Sequence, residues 1–559
     1  MSRQLNTGYR LRLPMPTHTS LSAAQAIVSS LIDHGVDRIF GVPGVHTYHL
    51  FDALHERRAQ IRFIGTRTEQ GGAYMAYGYA KSTGRVGVYT CVPGPGVLNT
   101  TSALCTAYAA NAPVLCITSE IPAADIGRGY GILHELPDQL ATLRSLTKWA
   151  DRIDHPTQAP GVVAEAFRKM MTGRMGPVAL ECPWDTLSVR ALTELPAVAA
   201  LPGPAQADPQ AVEDAARLLA GAARPMIMVG GGAVKAAEEI AALAKLLQAP
   251  VTAHRSGRGI VGEDTPYGLG LAAGYKAWAA TDVLVAVGTR MELQYLRWRK
   301  LPAGLKIIRI DIDPREMVRR KADVGLVTDA KVGVRALIEA LRGLKLQPVP
   351  REAEFLRLKA LARAEYEAVQ PQVGYLDVIR EVLPRDGFFV EEICQVGFTA
   401  RFALPVYEPR TYVSCGYQDN LGFGFMTALG VKAANPDKVV ISVNGDGGFM
   451  FGVQELATAV QAGIKVIAIV FNNQSFGNVL RDQKTVFGGR YIGESLRNPD
   501  FVGLAESFGA AGFRANDAAD LRAALIRARG EDRPVVIEVP GAPGSEASPW
   551  PFLHPWSVG

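Results

Sequence analysis

Residues Val439–Asn478 read VVISVNGDGGFMFGVQELATAVQAGIKVIAIVFNNQSFGN. Val439–Val443 is a short β-branched run that stops at Asn444-Gly445-Asp446-Gly447-Gly448, the pattern of a buried strand ended by glycines. Phe451–Gln461 has helical spacing, and Ile464–Phe471 is a second apolar run ended by Asn472-Asn473. The spacing predicts a β-α-β unit whose two strand tips share one edge of a parallel sheet, where ligands bind. Asp446 offers a carboxylate there and Asn473 an amide oxygen. Hard oxygen donors with retained water suit Mg²⁺ on a diphosphate. The glycines let backbone N–H groups approach phosphate oxygens, and a following helix N-terminus favours the anion. No Gly-Lys-Ser/Thr follows, so this is not a Walker loop, and Gly-x-Gly-x-x-Gly is absent at this turn.

The remaining composition narrows the class. A chain of 559 residues predicts about three domains. Hydrophobic content of 48% and charged content of 20% are those of a globular protein. The net charge of +5 is small, no basic block points to nucleic acid, and no stretch reaches the length of a membrane span. The six cysteines form no C-x-x-C pair, which favours reduced thiols in a cytoplasmic protein. Met1–Thr19 reads as a loose tail without a signal core.

Taken in order, residues 20–190 alternate strand and helix patterns. Candidate strands are Arg38–Gly44, leading into a glycine turn, then Ile61–Gly65, Val86–Cys91, Pro113–Thr118 and Pro177–Cys182, and Ser22 caps the first helix. Ala191–Pro209 reads as a linker. A second α/β unit spans 205–345, with strands expected at Met226–Val229, Val251–Ala253, Val283–Val287 and Lys306–Ile312. A charged helix occupies a second linker. A third unit spans 373–545, followed by a Pro/Trp tail at 546–559. The expected class is α/β, with three doubly wound parallel-sheet domains.

Gly445-Asp446-Gly447, then 24 residues, then Asn472-Asn473 resembles the cofactor motif of thiamine-diphosphate-dependent enzymes. The segment TEQGGA at 68–73 resembles the family's glutamate motif, and SCGYQDNLGFGFMTALG at 414–430 resembles the segment that holds the aminopyrimidine. The resemblance covers nearly the whole chain. It implies pyrimidine-binding, middle and diphosphate-binding domains, and a homodimer or homotetramer whose sites lie between subunits.

It also implies roles. Glu69 would hydrogen-bond the aminopyrimidine and favour its reactive tautomer, which asks for a shielded carboxyl. Gly416, Asp419, Asn420 and Leu421 would hold the cofactor, Leu421 as its prop. Gly445, Asp446, Gly447 and Gly448 would hold the diphosphate with Asn473, Ser475, Phe476 and Gly477. Mg²⁺ would take Asp446, Asn473 and the main-chain oxygen of Ser475. His46, in a loop similar to that of benzaldehyde lyase, would face substrate. His134 stands where benzaldehyde lyase and acetolactate synthase carry a glutamine, and Gln139 follows farther on. A histidine titrates near neutral pH and suits proton transfer. Gly230, Gly231, Gly232, Arg290, Asp311 and Asp329 occupy positions similar to those binding FAD in acetolactate synthase, although the family's Gly-Met-His-Gly is missing. FAD, an ADP-type ligand or an empty site all remain open there.

The implied activity is that of an acetolactate-synthase-like carboligase or lyase acting on 2-oxo acids or acyloins through an enamine. The alternatives are simple 2-oxo acid decarboxylation, a regulatory protein keeping an inactive fold, and a nucleotide-binding α/β protein.

Overall fold

The computed structural model describes residues 19–293, 297, 298, 300–344 and 346–553. Three six-stranded sheets organise the described chain, and every strand pair within them is parallel. The first sheet runs in spatial order 62–65, 38–41, 87–91, 114–120, 178–183, 149–152. The third runs 412–413, 388–390, 440–445, 467–472, 535–540, 511–514. With strands numbered within each sheet, both orders are 2-1-3-4-6-5, so the first and third units repeat one topology. The middle sheet has the order 3-2-1-4-5-6 of dinucleotide-binding folds.

Local sequence accounts for the main elements. Ser22 accepts from Gln25 N while the Gln25 side chain accepts from Ser22 N, a complete capping box on the helix Ala23–Asp33. Strands such as Val283–Val287 and Val440–Gly445 are nearly all buried because helices cover both faces.

Several elements differ from the sequence expectation. Strands Trp149–Arg152, Gly268–Leu269, Val324–Val327, Phe388–Val390, Tyr412–Val413 and Ala511–Arg514 carry too short or too mixed a pattern to stand out. Arg190–Thr193, inside the expected linker, pairs antiparallel with Thr19–Ser22. The predicted helix Phe451–Gln461 forms only from Glu455, as Glu455–Ala462, and a short helix Asp446–Met450 precedes it. The chain turns between them where Gly452 sits against Met426; a Cβ on Gly452 would lie 2.6 Å from that side chain. Met1–His18 and Trp556 lie outside the described residues.

The first and third units pack through the helices Glu69–Thr83 and Gly424–Ala434. A Cβ on Gly78 would stand 2.2 Å from Thr427 O, and one on Gly430 2.0 Å from Met75 O. Glycine at both positions lets the two backbones meet. Among the described residues no helix is long and apolar enough to cross a membrane.

Candidate active site

In a doubly wound sheet the ligand crevice opens where strand order reverses. In the third unit that point lies between Phe388–Val390 and Val440–Gly445. A cavity of about 220 Å³ opens there, lined by Cys394, Gln395, Leu421, Asp446, Asn473 and Glu546 among others. Gly445, Gly447, Gly448, Ser475, Phe476 and Gly477 also line it.

Asp446 starts the helix directly after its strand and is 2% exposed. Its Oδ1 accepts from Gly447 N at 2.9 Å and its Oδ2 from Asn498 Nδ2 at 2.7 Å. Burial pushes its carboxyl up, and those donors hold it down. Asn498 also donates to Asn472 Oδ1 at 2.9 Å, tying the two strand tips together. Sequence reading missed Asn498; it stands far from both motifs and nothing in its pattern marks it.

Asn473 and Ser475 are buried, and Asn473 Oδ1 accepts from Ser475 N at 3.1 Å and Ser475 Oγ at 3.0 Å. The cavity lining holds two carboxylates, Asp446 and Glu546, with amide and main-chain oxygens and no basic side chain. This donor set fits a hard divalent cation, and a diphosphate seated here would depend on that cation and on backbone N–H groups. Among the described residues no cluster of three or more His, Cys, Asp or Glu side chains forms a metal site. Only an oxygen set that includes amide and main-chain donors matches the expectation.

The cofactor segment 414–421 divides between tasks. Leu421 lines the cavity. The Asp419 carboxylate is spent on Arg401 at 2.7 Å and Arg255 at 3.1 Å, which hold it down to about 2 against the effect of burial. Asn420 donates to Tyr74 Oη and accepts from Thr106 Oγ1, and Gly416 lines the neighbouring middle-domain pocket. Asp419 and Asn420 therefore dock the loop through their side chains and do not present them to a ligand.

The first unit brings its own residues to the matching reversal point. Glu69 is the first residue of its helix, capped by Thr68, whose hydroxyl accepts from Gly71 N at 3.0 Å. The Glu69 carboxyl is half-buried and accepts from Asn99 Nδ2 at 3.0 Å. It is not part of the lining around Asp446. His46 is 3% exposed and its ring lies 5.3 Å from those of His134 and Trp184. Its Nε2 faces Leu133 O at 3.0 Å; a carbonyl only accepts, so the proton sits on Nε2 and Nδ1 is a bare, buried acceptor. Burial pushes His46 down, which keeps it neutral. His134 Nδ1 is likewise buried without a partner.

Gln139 does not reach this group as a free side chain. It is 1% exposed, accepts from Gly94 N at 2.8 Å and donates to Ser119 O and Glu181 Oε2 at 2.9 Å. It braces the Gly94 turn, against which the His134 backbone lies.

The middle unit has a pocket of about 290 Å³ at its own reversal point, lined by Gly230, Gly231, Gly232, Arg290, Asp311 and Asp329. Arg290 donates to Ala109 O at 2.7 Å and stacks on Tyr417. Asp329 caps the helix Ala330–Arg342, while burial raises the Asp311 carboxyl. Lys81, Arg174, Lys235 and Arg255 make the pocket basic.

Comparison with known proteins matches this geometry. Three family models fit the chain: the N-terminal thiamine pyrophosphate binding domain over residues 21–142, the central domain over 212–337 and the C-terminal thiamine pyrophosphate binding domain over 393–539. A probable 2-ketoarginine decarboxylase of Pseudomonas aeruginosa is 34% identical over 94% of this chain and 95% of its own. A probable acetolactate synthase large subunit of Methanocaldococcus jannaschii is 33% identical, covering 93% and 92%. The acetolactate synthase large subunit of Corynebacterium glutamicum is 31% identical, covering 95% and 88%. With the repeated sheet and these three matches in hand, the chain belongs to the thiamine pyrophosphate enzymes, which form or cleave carbon–carbon bonds.

Proposed function

We propose that the protein cleaves a 2-oxo acid with loss of CO₂ and returns a proton to the remaining acyl unit, releasing an aldehyde. The observation that carries this reading is the His46–His134 pair, with rings 5.3 Å apart, the His46 imidazole buried, His134 half-buried, and both Nδ1 atoms buried without a partner. A neutral imidazole with a bare nitrogen can take and return one proton at a fixed point. Trp184 packs edge-on 5.3 Å from the His46 ring, whose Nδ1 is buried. The 2-ketoarginine decarboxylase relative supports the same outcome. The second reading is transfer of the acyl unit to another carbonyl compound, supported by the acetolactate synthase relatives.

When bound, thiamine diphosphate supplies the carbon nucleophile and the electron sink for this cleavage. Asp446, Asn473 and the main-chain oxygen of Ser475 would hold Mg²⁺, with Leu421 propping the cofactor. Glu69 would share a proton with the aminopyrimidine. Since Glu69 and Asp446 stand in separate half-sites, a second copy of the chain would complete each one. Leu98, Met450 and Phe451 are exposed apolar residues on the same segments, as an interface requires. The basic middle pocket, at the reversal point of a dinucleotide-type sheet, fits an ADP-type ligand, free or as part of FAD.

The experiment incubates the protein with thiamine diphosphate, Mg²⁺ and a panel of 2-oxo acids, reading CO₂ and following products by NMR. Aldehyde formation supports the first reading and acyloin or acetohydroxy acid the second. No CO₂ from any 2-oxo acid, with cofactor bound, defeats both. Mass spectrometry of ligands released on denaturation identifies the middle-domain occupant.

A further inference from the structure

Glu546 lies beyond the third family match, which ends at residue 539, yet its side chain lines the cavity that holds Asp446. Its carboxylate accepts from Asn473 Nδ2 with both oxygens, at 3.0 and 3.2 Å. A carboxylate only accepts, so the NH₂ end of the Asn473 amide must face it. The oxygen end is then turned the other way, toward Ser475. An unrestrained asparagine can present either end to a ligand, and only the oxygen can bind a cation.

The segment carrying Glu546 is itself pinned. Ala547 N donates to Gln370 O at 3.1 Å and Gln372 Nε2 to Ala547 O at 2.6 Å. Trp550 Nε1 donates to Asn478 Oδ1 at 3.2 Å, its ring packs 5.0 Å from Phe398, and Arg481 lies over it. Asn478 and Phe398 line the same cavity. Phe552 packs against Phe402, and Leu553 is fully buried.

We infer that Glu546 is a positioning residue for the metal: the docked C-terminal segment uses its carboxylate to hold the Asn473 amide with its oxygen toward the cation. The inference rests on Asp446 and Asn473 being metal ligands, as proposed above. Groups that orient a metal ligand commonly contribute 10- to 100-fold in affinity.

The test uses Mn²⁺ as the probe, titrated into the full chain with saturating thiamine diphosphate, free Mn²⁺ being read by electron paramagnetic resonance. Glu546→Ala removes the acceptor and should weaken Mn²⁺ about 10-fold or more. Glu546→Gln keeps an acceptor oxygen but not the charge, and should stay within about threefold of wild type on the same basis. Trp550→Ala leaves the carboxylate but loosens its segment, and should weaken Mn²⁺ in the same direction. Wild-type affinity in Glu546→Ala overturns the inference. So does an equal loss in Glu546→Gln and Glu546→Ala, which would make charge the cause and orientation irrelevant. If Glu546→Ala does not fold, an unchanged affinity in Trp550→Ala overturns it instead. Wild type that binds no Mn²⁺ with thiamine diphosphate overturns the ligand assignment itself, a separate failure.

Discussion

The Glu455 carboxylate clasps Thr68 across two domains: its Oε1 lies 2.8 Å from Thr68 N and 3.0 Å from Thr68 Oγ1. It also accepts from Arg67 N at 3.1 Å and from Thr458 Oγ1 at 2.6 Å, and it is fully buried. Glu455 opens the helix that follows the Asp446 turn, and Thr68 caps the helix that begins with Glu69. A single carboxylate thus fixes the start of the Glu69 helix against the segment that follows Asp446. Glu455→Ala should leave the part-buried Arg67 and Thr68 N–H groups without their acceptor, at a cost of up to about 1–3 kcal/mol each. It should also slow the chemistry by ~10² through displacement of Glu69. Thermal unfolding and single-turnover rates check the two effects. A destabilised variant with an unchanged rate confines Glu455 to the fold.

Glu392 provides the pH dependence. It is 1% exposed, accepts from Gly424 N at 2.6 Å, and burial pushes its carboxyl up from 4.5 to about 7. Between those values the folded chain keeps a proton that the unfolded chain has released. Its contribution is therefore full below the unfolded value and is lost as pH rises through the folded value. Glu392→Gln should remove this slope, so the unfolding free energies at pH 5 and pH 8 should draw closer by about 2 kcal/mol. Urea unfolding of both proteins at the two pH values checks it. Parallel pH profiles for wild type and variant would show that Glu392 does not titrate as described.

What was legible in the sequence follows from how chemistry is encoded. The Gly-Asp-Gly turn and the paired asparagines show because close backbone approach demands glycine and hard ligands demand oxygen. The long buried strands show because both faces are covered. Edge strands such as Tyr412–Val413 are too short for any pattern. Side-chain ends are set by partners remote in sequence, so the diversion of Asp419 to Arg401, of Gln139 to Gly94 and Glu181, and the arrival of Asn498 at Asp446 and of Glu546 in the cavity around it could not be read there. Trp550 and Phe552 of the C-terminal segment pack on Phe398 and Phe402.

The proposed sharing of each site between two copies of the chain predicts subunit complementation. Glu69→Gln and Asp446→Ala proteins should each be inactive alone. Mixed under conditions that exchange subunits, they should regain activity, because in a hybrid dimer one site carries neither lesion. Native mass spectrometry confirms exchange. Confirmed hybrids without activity would mean that Glu69 and Asp446 of one site come from one chain.

As proposed, Glu69 would activate the cofactor by sharing a proton with it. Quenched-flow deuterium exchange, followed by NMR of the released thiamine diphosphate, measures that activation directly, upstream of any substrate. Wild type should exchange the thiazolium proton far faster than free cofactor. Glu69→Gln, which keeps the volume and a hydrogen bond, should still bind but exchange slower by ~10² to 10⁴. Wild type that binds yet exchanges no faster than free cofactor, or a Glu69→Gln protein as fast as wild type, would contradict the account.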